Sequence, residues 1–271
     1  MALADRLRRF AASQLPPSWR LIDYRGFRVC HVEGEDLIRH LRAGRYEERS
    51  VETVAAWHGD GRVGLDIGAN IGFFRLGVLA SRPGGRILAF EPNPLTYSRL
   101  RLTLELNGLG DTLEALPLAL ADASGVLPFA RHDPKSSSGD GLVDTGRAGP
   151  AETLVVPVAT LDSVLEAHGL RRLDWIKIDV EGAELRVFEG ARKTLETLRP
   201  RLLFEAHPIN LESHGLEPRQ LFGLLDSLGY RIAALDAPER VLDPGGFEAK
   251  VAAREENFIG TPSRPGAAAE P

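Results

Sequence analysis

From residue 62 onward, short apolar runs bounded by Gly, Pro and Asp alternate with longer segments of helical periodicity, the pattern of a mostly parallel sheet covered on both faces. The runs predict strands at 63–67, 86–90, 113–118, 173–179, 201–206 and 230–235. Between them the spacing predicts helices near 73–81, 94–107, 160–168, 184–198 and 217–228. The order is β-α-β-α-β, an insertion, then α-β-α-β-α-β. The insertion, residues 131–152, is polar, rich in Gly, Ser and Pro, and too long for a bare connection. It reads either as a mobile loop or lid over a site or as surface variation. Residues 254–261, REENFIGT, can supply a last edge strand, expected to be antiparallel, and 263–271 reads as a disordered tail.

The pattern before residue 58 is different. Leu3, Leu7, Phe10 and Leu15 recur at roughly helical spacing with Arg6, Arg8 and Arg9 between them, and Pro16-Pro17 stops the helix. Such a helix packs on the body or serves as a partner-binding surface. Leu21 to Val32 reads as a hairpin, followed by helical segments at 35–42 and 50–57. Residues 1–58 are therefore expected to form an N-terminal helical and hairpin cap on a domain at 59–262.

Composition narrows the class. The chain of 271 residues is 43% hydrophobic, enough for a full core, yet no apolar run approaches the roughly 18 residues of a membrane span. Net charge is -5, and Arg is interleaved with Asp and Glu, which disfavours nucleic acid as a partner. Cys30 is the one cysteine, and the N-terminus MALADRLRRF lacks a secretory apolar region, so a cytoplasmic setting is expected.

The residues that promise chemistry sit at strand ends. Val63-Gly64-Leu65-Asp66-Ile67-Gly68-Ala69-Asn70-Ile71-Gly72 runs from a strand through a Gly-rich turn into a helix, which creates a ligand crevice. It is not a G-x-G-x-x-G dinucleotide fingerprint, because Asn70 and Phe73 stand at the second and third glycine positions. Asp66 at the strand end suits a cationic or amino-acid-like ligand better than two phosphates. The second strand ends in Ala89-Phe90-Glu91-Pro92-Asn93, where Glu91 can accept both hydrogen bonds of a ribose diol. Asp122, after the third strand, either contacts the exocyclic amine of adenine or shapes a turn.

A second informative segment is Asp174-Trp175-Ile176-Lys177-Ile178-Asp179-Val180-Glu181-Gly182-Ala183-Glu184. It delivers Asp179 and Glu181 to the rim where open α/β sheets bind ligands, whereas Glu184 in the following helical turn reads as structural. The next strand brings Glu205 and His207 to the same rim, and His207 is the best base candidate among seven histidines.

Together these residues resemble the FkbM family of S-adenosylmethionine-dependent methyltransferases. The matching pieces are DIGANIGFF at 66–74, FEPNP at 90–94 with its helix ending in Glu105-Leu106-Asn107, VPVATLDSVL at 156–165, DWIKIDVEGAELRVFEGARKTLE at 174–196 and LLFEAH at 202–207. The resemblance implies a Rossmann-like class I methyltransferase fold. It implies that Asp66, Gly68, Ala69, Asn70 and Gly72 surround the methionine part of S-adenosyl-L-methionine, that Glu91 holds the ribose and that Asp122 lies near adenine. It also implies O-methylation of sugars, glycoconjugates or polyketide natural products. The acceptor would be a small molecule or glycan, and the oligomeric state, a homodimer included, stays open.

An alcohol attacking the sulfonium methyl needs help with its proton, and His207 or Asp179 is the expected catalytic base, with Glu181 and Glu205 near the acceptor. A weaker alternative groups Asp179, Glu181, Glu205 and His207 around a divalent metal. Other readings are an N-methyltransferase, a non-catalytic adenosyl-binding module and an NAD(P)-dependent oxidoreductase. The last lacks its third glycine, and no Tyr has a Lys four residues later. A nucleic-acid methyltransferase is disfavoured by charge and by Asp179-Val180-Glu181-Gly182 in place of an Asn-Pro-Pro-Tyr type loop.

Overall fold

A computed structural model describes residues 15–42, 47–110, 112–133, 135 and 139–263. The chain enters through a hairpin, β1 (Trp19–Tyr24) and β2 (Phe27–Val32), then α1 (Asp36–Arg42) and α2 (Glu48–Trp57). The first alternating units are β3 (Val63–Ile67), α3 (Phe73–Ser81), β4 (Arg86–Phe90), α4 (Pro94–Asn107) and β5 (Leu113–Leu116). Next come three strands apart from the main sheet, β6 (Ala119–Leu120), β7 (Gly125–Arg131) and β8 (Glu152–Ala159), followed by α5 (Leu161–Ala167). The rest is β9 (Trp175–Ile178), α6 (Glu184–Glu189), α7 (Arg192–Thr197), β10 (Arg201–Glu205), α8 (Pro208–Ser213) and α9 (Pro218–Ser227). The described chain closes with β11 (Tyr230–Ala234), α10 (Pro244–Ala252) and β12 (Asn257–Pro262).

Seven strands form the main sheet in the order β11-β12-β10-β9-β3-β4-β5. The neighbours from β10 to β5 are parallel, and β12 runs antiparallel to both β10 and β11. This is the expected Rossmann-like α/β sheet. One core, with Leu65, Ile176, Phe188, Phe204 and Phe247, fills the face covered by α5 to α10. The other, with Val51, Val54, Phe74, Leu76, Leu100 and Leu203, fills the face covered by the hairpin and α1 to α4. The N-terminal segment is tied to that second face by a buried ion pair, Arg99 Nη1 to Glu35 Oε2 at 2.9 Å. Cys30 N–H also donates to Thr103 Oγ1 at 3.0 Å.

Several elements depart from the sequence pattern. Segment 254–261 was expected as an edge strand, but β12 lies inside the sheet and β11 forms the edge. The single helix expected at 184–198 is two, and Gly190 at the break is required by packing, because an added Cβ would stand 2.1 Å from the Ala121 carbonyl. The strand expected at 113–118 ends at Leu116. The insertion is flanked by the antiparallel pair β7 and β8, which the sequence pattern had not indicated. The expected helix at 1–15 lies almost entirely, and the tail apart from Ser263 wholly, outside the described residues.

Candidate active site

The carboxyl ends of β3, β4, β9 and β10 open into one cleft, and strand parity decides what faces it. Asp66 and Lys177 are register partners on adjacent parallel strands, so their side chains leave the sheet on the same face. Just past the end of β9, Asp179 stays beside Lys177, and Glu205 at the end of β10 joins it. The loop after β3 turns through Gly68 (φ 79°) and Gly72 (φ 99°), with Asn70 (φ 47°) between them. Gly68 is demanded by packing: a Cβ there would stand 1.7 Å from the Asp179 carbonyl oxygen. Backbone amides of Gly68 and Ala69 both donate to the Phe90 carbonyl, which locks the loop to β4.

Glu91 anchors one end of the cleft. Its Oε2 accepts from the Asn70 amide and its Oε1 from the Asn93 amide, each at 2.9 Å. Burial pushes its carboxyl up to about 7, a rise that Asp140 adds to and the two amides oppose. Asn93 caps α4 by accepting from the Leu95 amide, and its Nδ2 donates to Asp140 Oδ2 at 2.6 Å. Asp140 also accepts from the His132 amide, so the described part of the insertion is pinned over the cleft. Leu118, Leu120, Phe129 and Leu142 give this end an apolar wall.

The centre is charged. Lys177 Nζ lies 3.1 Å from Asp179 Oδ2 and 3.9 Å from Asp66 Oδ1, above the Phe74 ring. Burial opposes its charge, but Asp179, Glu47 and Asp66 outweigh that and hold the ammonium above the usual lysine range. Asp66 is fully buried beneath the loop, 3.9 Å from Arg75 as well.

The far end is acidic. Asp179, Glu181 and Glu205 each present one oxygen, all within 4.8 Å of one another. Glu181 Oε2 accepts from Arg147 Nη1 at 3.1 Å and Asn210 Nδ2 at 2.8 Å. Burial, then Asp179, pushes Glu181 up to about 8. Burial, then Asp179 and Glu181, also holds Glu205 well above the usual carboxylate range. Glu184 has turned away to accept from the Val180 and Gly182 amides.

Of the residues singled out from the sequence, Gly68, Ala69, Asn70, Glu91, Asp179, Glu181 and Glu205 line one cleft, while Asp66 and Gly72 support it from below and beside. Two stand elsewhere. Asp122 was expected near adenine, but it is outside the cleft lining and its Oδ1 accepts from Arg186 Nε at 2.6 Å. His207 was expected as a base and as a fourth metal ligand. Instead it is buried as the cap of α8, with Nδ1 accepting from the Ile209 amide at 3.2 Å and Nε2 lying 3.2 Å from Glu256. Burial lowers its proton affinity, and it does not join the carboxylate group. The sequence reading missed Lys177, Asp140, Leu37 and Glu47, all of which line the cleft. Lys177 could have been found by parity with Asp179; the other three arrive from segments distant in sequence.

Known proteins that this chain resembles are methyltransferases. The Methyltransferase FkbM domain model matches residues 66–232. The chain is 32% identical over 195 residues to the methyltransferase sdnD of Sordaria araneosa, covering 62% of this chain and 73% of that one. It is 26% identical over 217 residues to the hexuronic acid methyltransferase AglP of Haloferax volcanii, covering 80% and 75%. It is 29% identical over 150 residues to the 2-O-methyltransferase NoeI of Sinorhizobium fredii, covering 50% and 59%. With the strand-end residues from Asp66 to Glu205 inside one matched span, the chain belongs to the FkbM family of S-adenosylmethionine-dependent methyltransferases.

Proposed function

We propose that this methyltransferase methylates a hydroxyl oxygen on a sugar, a glycoconjugate or a polyketide-type natural product. The observation that carries the reading is the acidic end of the cleft, where Asp179, Glu181 and Glu205 converge beside Lys177. An alcohol becomes a competent nucleophile when a positioned base takes its proton, and a base works best with a proton affinity near the working pH. Glu181, pushed up to about 8, meets that condition as part of a coupled cluster. Carboxylate oxygens also accept hydrogen bonds from the neighbouring hydroxyls of a polyol. Two relatives, a hexuronic acid methyltransferase and a 2-O-methyltransferase, support the same acceptor class.

S-adenosylmethionine, when bound, supplies a methyl group already activated on a sulfonium. The donor set here fits it. Glu91 keeps lone pairs free for a ribose diol after accepting two amides, the apolar wall suits a flat base, and the surplus of carboxylates over Lys177, the single cation among the described lining residues, suits a cationic ligand. The chain's own residues then align and enclose: the Gly68 loop floors the cleft, while Asp140 and Arg147 hold the insertion across it and exclude water. The Asp179–Glu181–Glu205 cluster receives the proton.

The same three carboxylates favour a second reading in which they hold a hard divalent cation, which would supply Lewis-acid polarisation of the hydroxyl. Calorimetric titration of manganese chloride into wild-type protein and Glu181→Gln tests it. Binding lost in the variant supports it, and no heat with wild type removes it.

The acceptor reading is tested by incubating the protein with S-adenosylmethionine labelled in the methyl group and a panel of uronic acids, hexoses and macrolide alcohols. Label recovered as a methyl ether stable to mild alkali is expected. An alkali-labile ester or an N-methyl product overturns the hydroxyl assignment.

A further inference from the structure

Glu47 precedes the family-matched span, yet it lines the cleft. It stands at the N-cap of α2 with φ 39° and ψ 31°, a left-handed conformation that costs a non-glycine residue about 1 kcal/mol. Its side chain makes no capping hydrogen bond in return. Burial pushes its carboxyl up to about 7, with Lys177 opposing the rise and Asp179 and Asp66 adding to it. Those are its electrostatic neighbours, whereas Glu205 answers to Asp179, Glu181, Glu184 and Glu256. Glu47 thus lines the part of the cleft that holds Lys177, with Asp66 and Asp179 as its acidic neighbours.

Of the other acids of the cleft, all but Glu205, which sits in the acidic end, are engaged. Glu91 holds two amides, Asp140 holds Asn93 and the His132 amide, Asp179 holds Lys177, and Glu181 holds Arg147 and Asn210. An amino-acid tail carries an ammonium and a carboxylate on one carbon, so its two partners must be close neighbours of opposite sign. Among the described residues lining the cleft, Lys177 is the cation, and Glu47 is the carboxylate coupled to it that has no hydrogen-bond partner assigned. We propose that Glu47 binds the α-ammonium group of S-adenosylmethionine while Lys177 faces the α-carboxylate, so that a residue outside the family-matched span completes the donor site. This rests on the family assignment of the donor and goes beyond it by naming the recognition element for its tail.

The test is calorimetry with two ligands that differ only in that tail. S-adenosylhomocysteine carries the amino-acid group, and 5′-methylthioadenosine lacks it. Glu47→Gln is nearly isosteric and should weaken S-adenosylhomocysteine about 10- to 100-fold, the scale of one charge-assisted hydrogen bond, while leaving 5′-methylthioadenosine unchanged. Glu47→Asp, which keeps the charge, should recover part of the loss. Equal loss for both ligands, or full affinity for S-adenosylhomocysteine in Glu47→Gln, overturns the assignment. Failure of the wild-type protein to bind S-adenosylhomocysteine would instead strike at the donor itself.

Discussion

Replacing Glu205 by Gln should make the protein more stable and less active. Its oxygen lies within 4.8 Å of those of Asp179 and Glu181, and Oε2 is buried without a hydrogen-bond partner. Two full charges at that separation repel by about 3.5 kcal/mol at an effective dielectric constant of about 20. Proton uptake already relieves part of this, since Glu205 keeps its proton well above the usual carboxylate range, so a gain of about 1–3 kcal/mol remains. A carboxylate whose native proton affinity is raised destabilises the fold as pH climbs from its unfolded value, near ~4.3, towards its native one, because the native state retains a proton that the unfolded chain has released. The gain should therefore be largest near pH 8 and shrink towards pH 4. Urea unfolding of wild type and variant at both pH values measures it as a shift in midpoint at constant slope. Equal gain at both pH values, or a loss at pH 8, would refute the repulsion argument. Methyl transfer should fall about 100-fold at the same time, as expected for a damaged proton acceptor.

Gly68→Ala places a Cβ 1.7 Å from the Asp179 carbonyl at a positive φ, so it should cost about 2–4 kcal/mol in urea unfolding and weaken S-adenosylhomocysteine binding as the loop shifts. His207→Ala removes a helix cap and should cost about 1 kcal/mol while turnover stays within a few-fold of wild type; a 100-fold loss of turnover would restore His207 as the base. Asp122→Asn breaks an exposed ion pair with Arg186, so stability should change by less than about 1 kcal/mol and S-adenosylhomocysteine affinity by nothing that calorimetry detects.

The strand ends were legible because two local rules act there. A pleat fixes which residues share a face, and a glycine at a positive φ betrays a tight turn, so Gly68, Glu91, Asp179 and Glu205 could be placed from spacing alone. His207 misled because the pleat ends before it. Pro208 opens α8, and the residue before a helix-starting proline is its natural cap, a signal present in the sequence as His207-Pro208. The β7 and β8 pair was hidden by Pro128 and Pro157, which argue against a strand; Pro128 is tolerated on the edge strand β7, and Pro157 lies on β8 just before the two residues that pair with β6. Asp122 pairs with Arg186, whose position depends on how α6 docks, which no local rule supplies.

Glu47 was illegible for a deeper reason, which also makes it useful. A helix that packs on a parallel sheet just before the first strand must run antiparallel to that strand. The 10 residues of α2 span about 15 Å, and the 5 residues of β3 span about 17 Å. Near-equal lengths return the start of α2 to the carboxyl rim, so whatever residue precedes the helix is delivered to the cleft whatever its local sequence. The packing of α2 against α3 and Val51 and Val54 in the second core hold it there. The family-matched span therefore carries the donor loop, the ribose acid and the acidic cluster, while the segment before it contributes Leu37 and Glu47 to the same wall. Change in that segment can alter how the cleft grips a ligand without disturbing the Gly68 loop or the sheet.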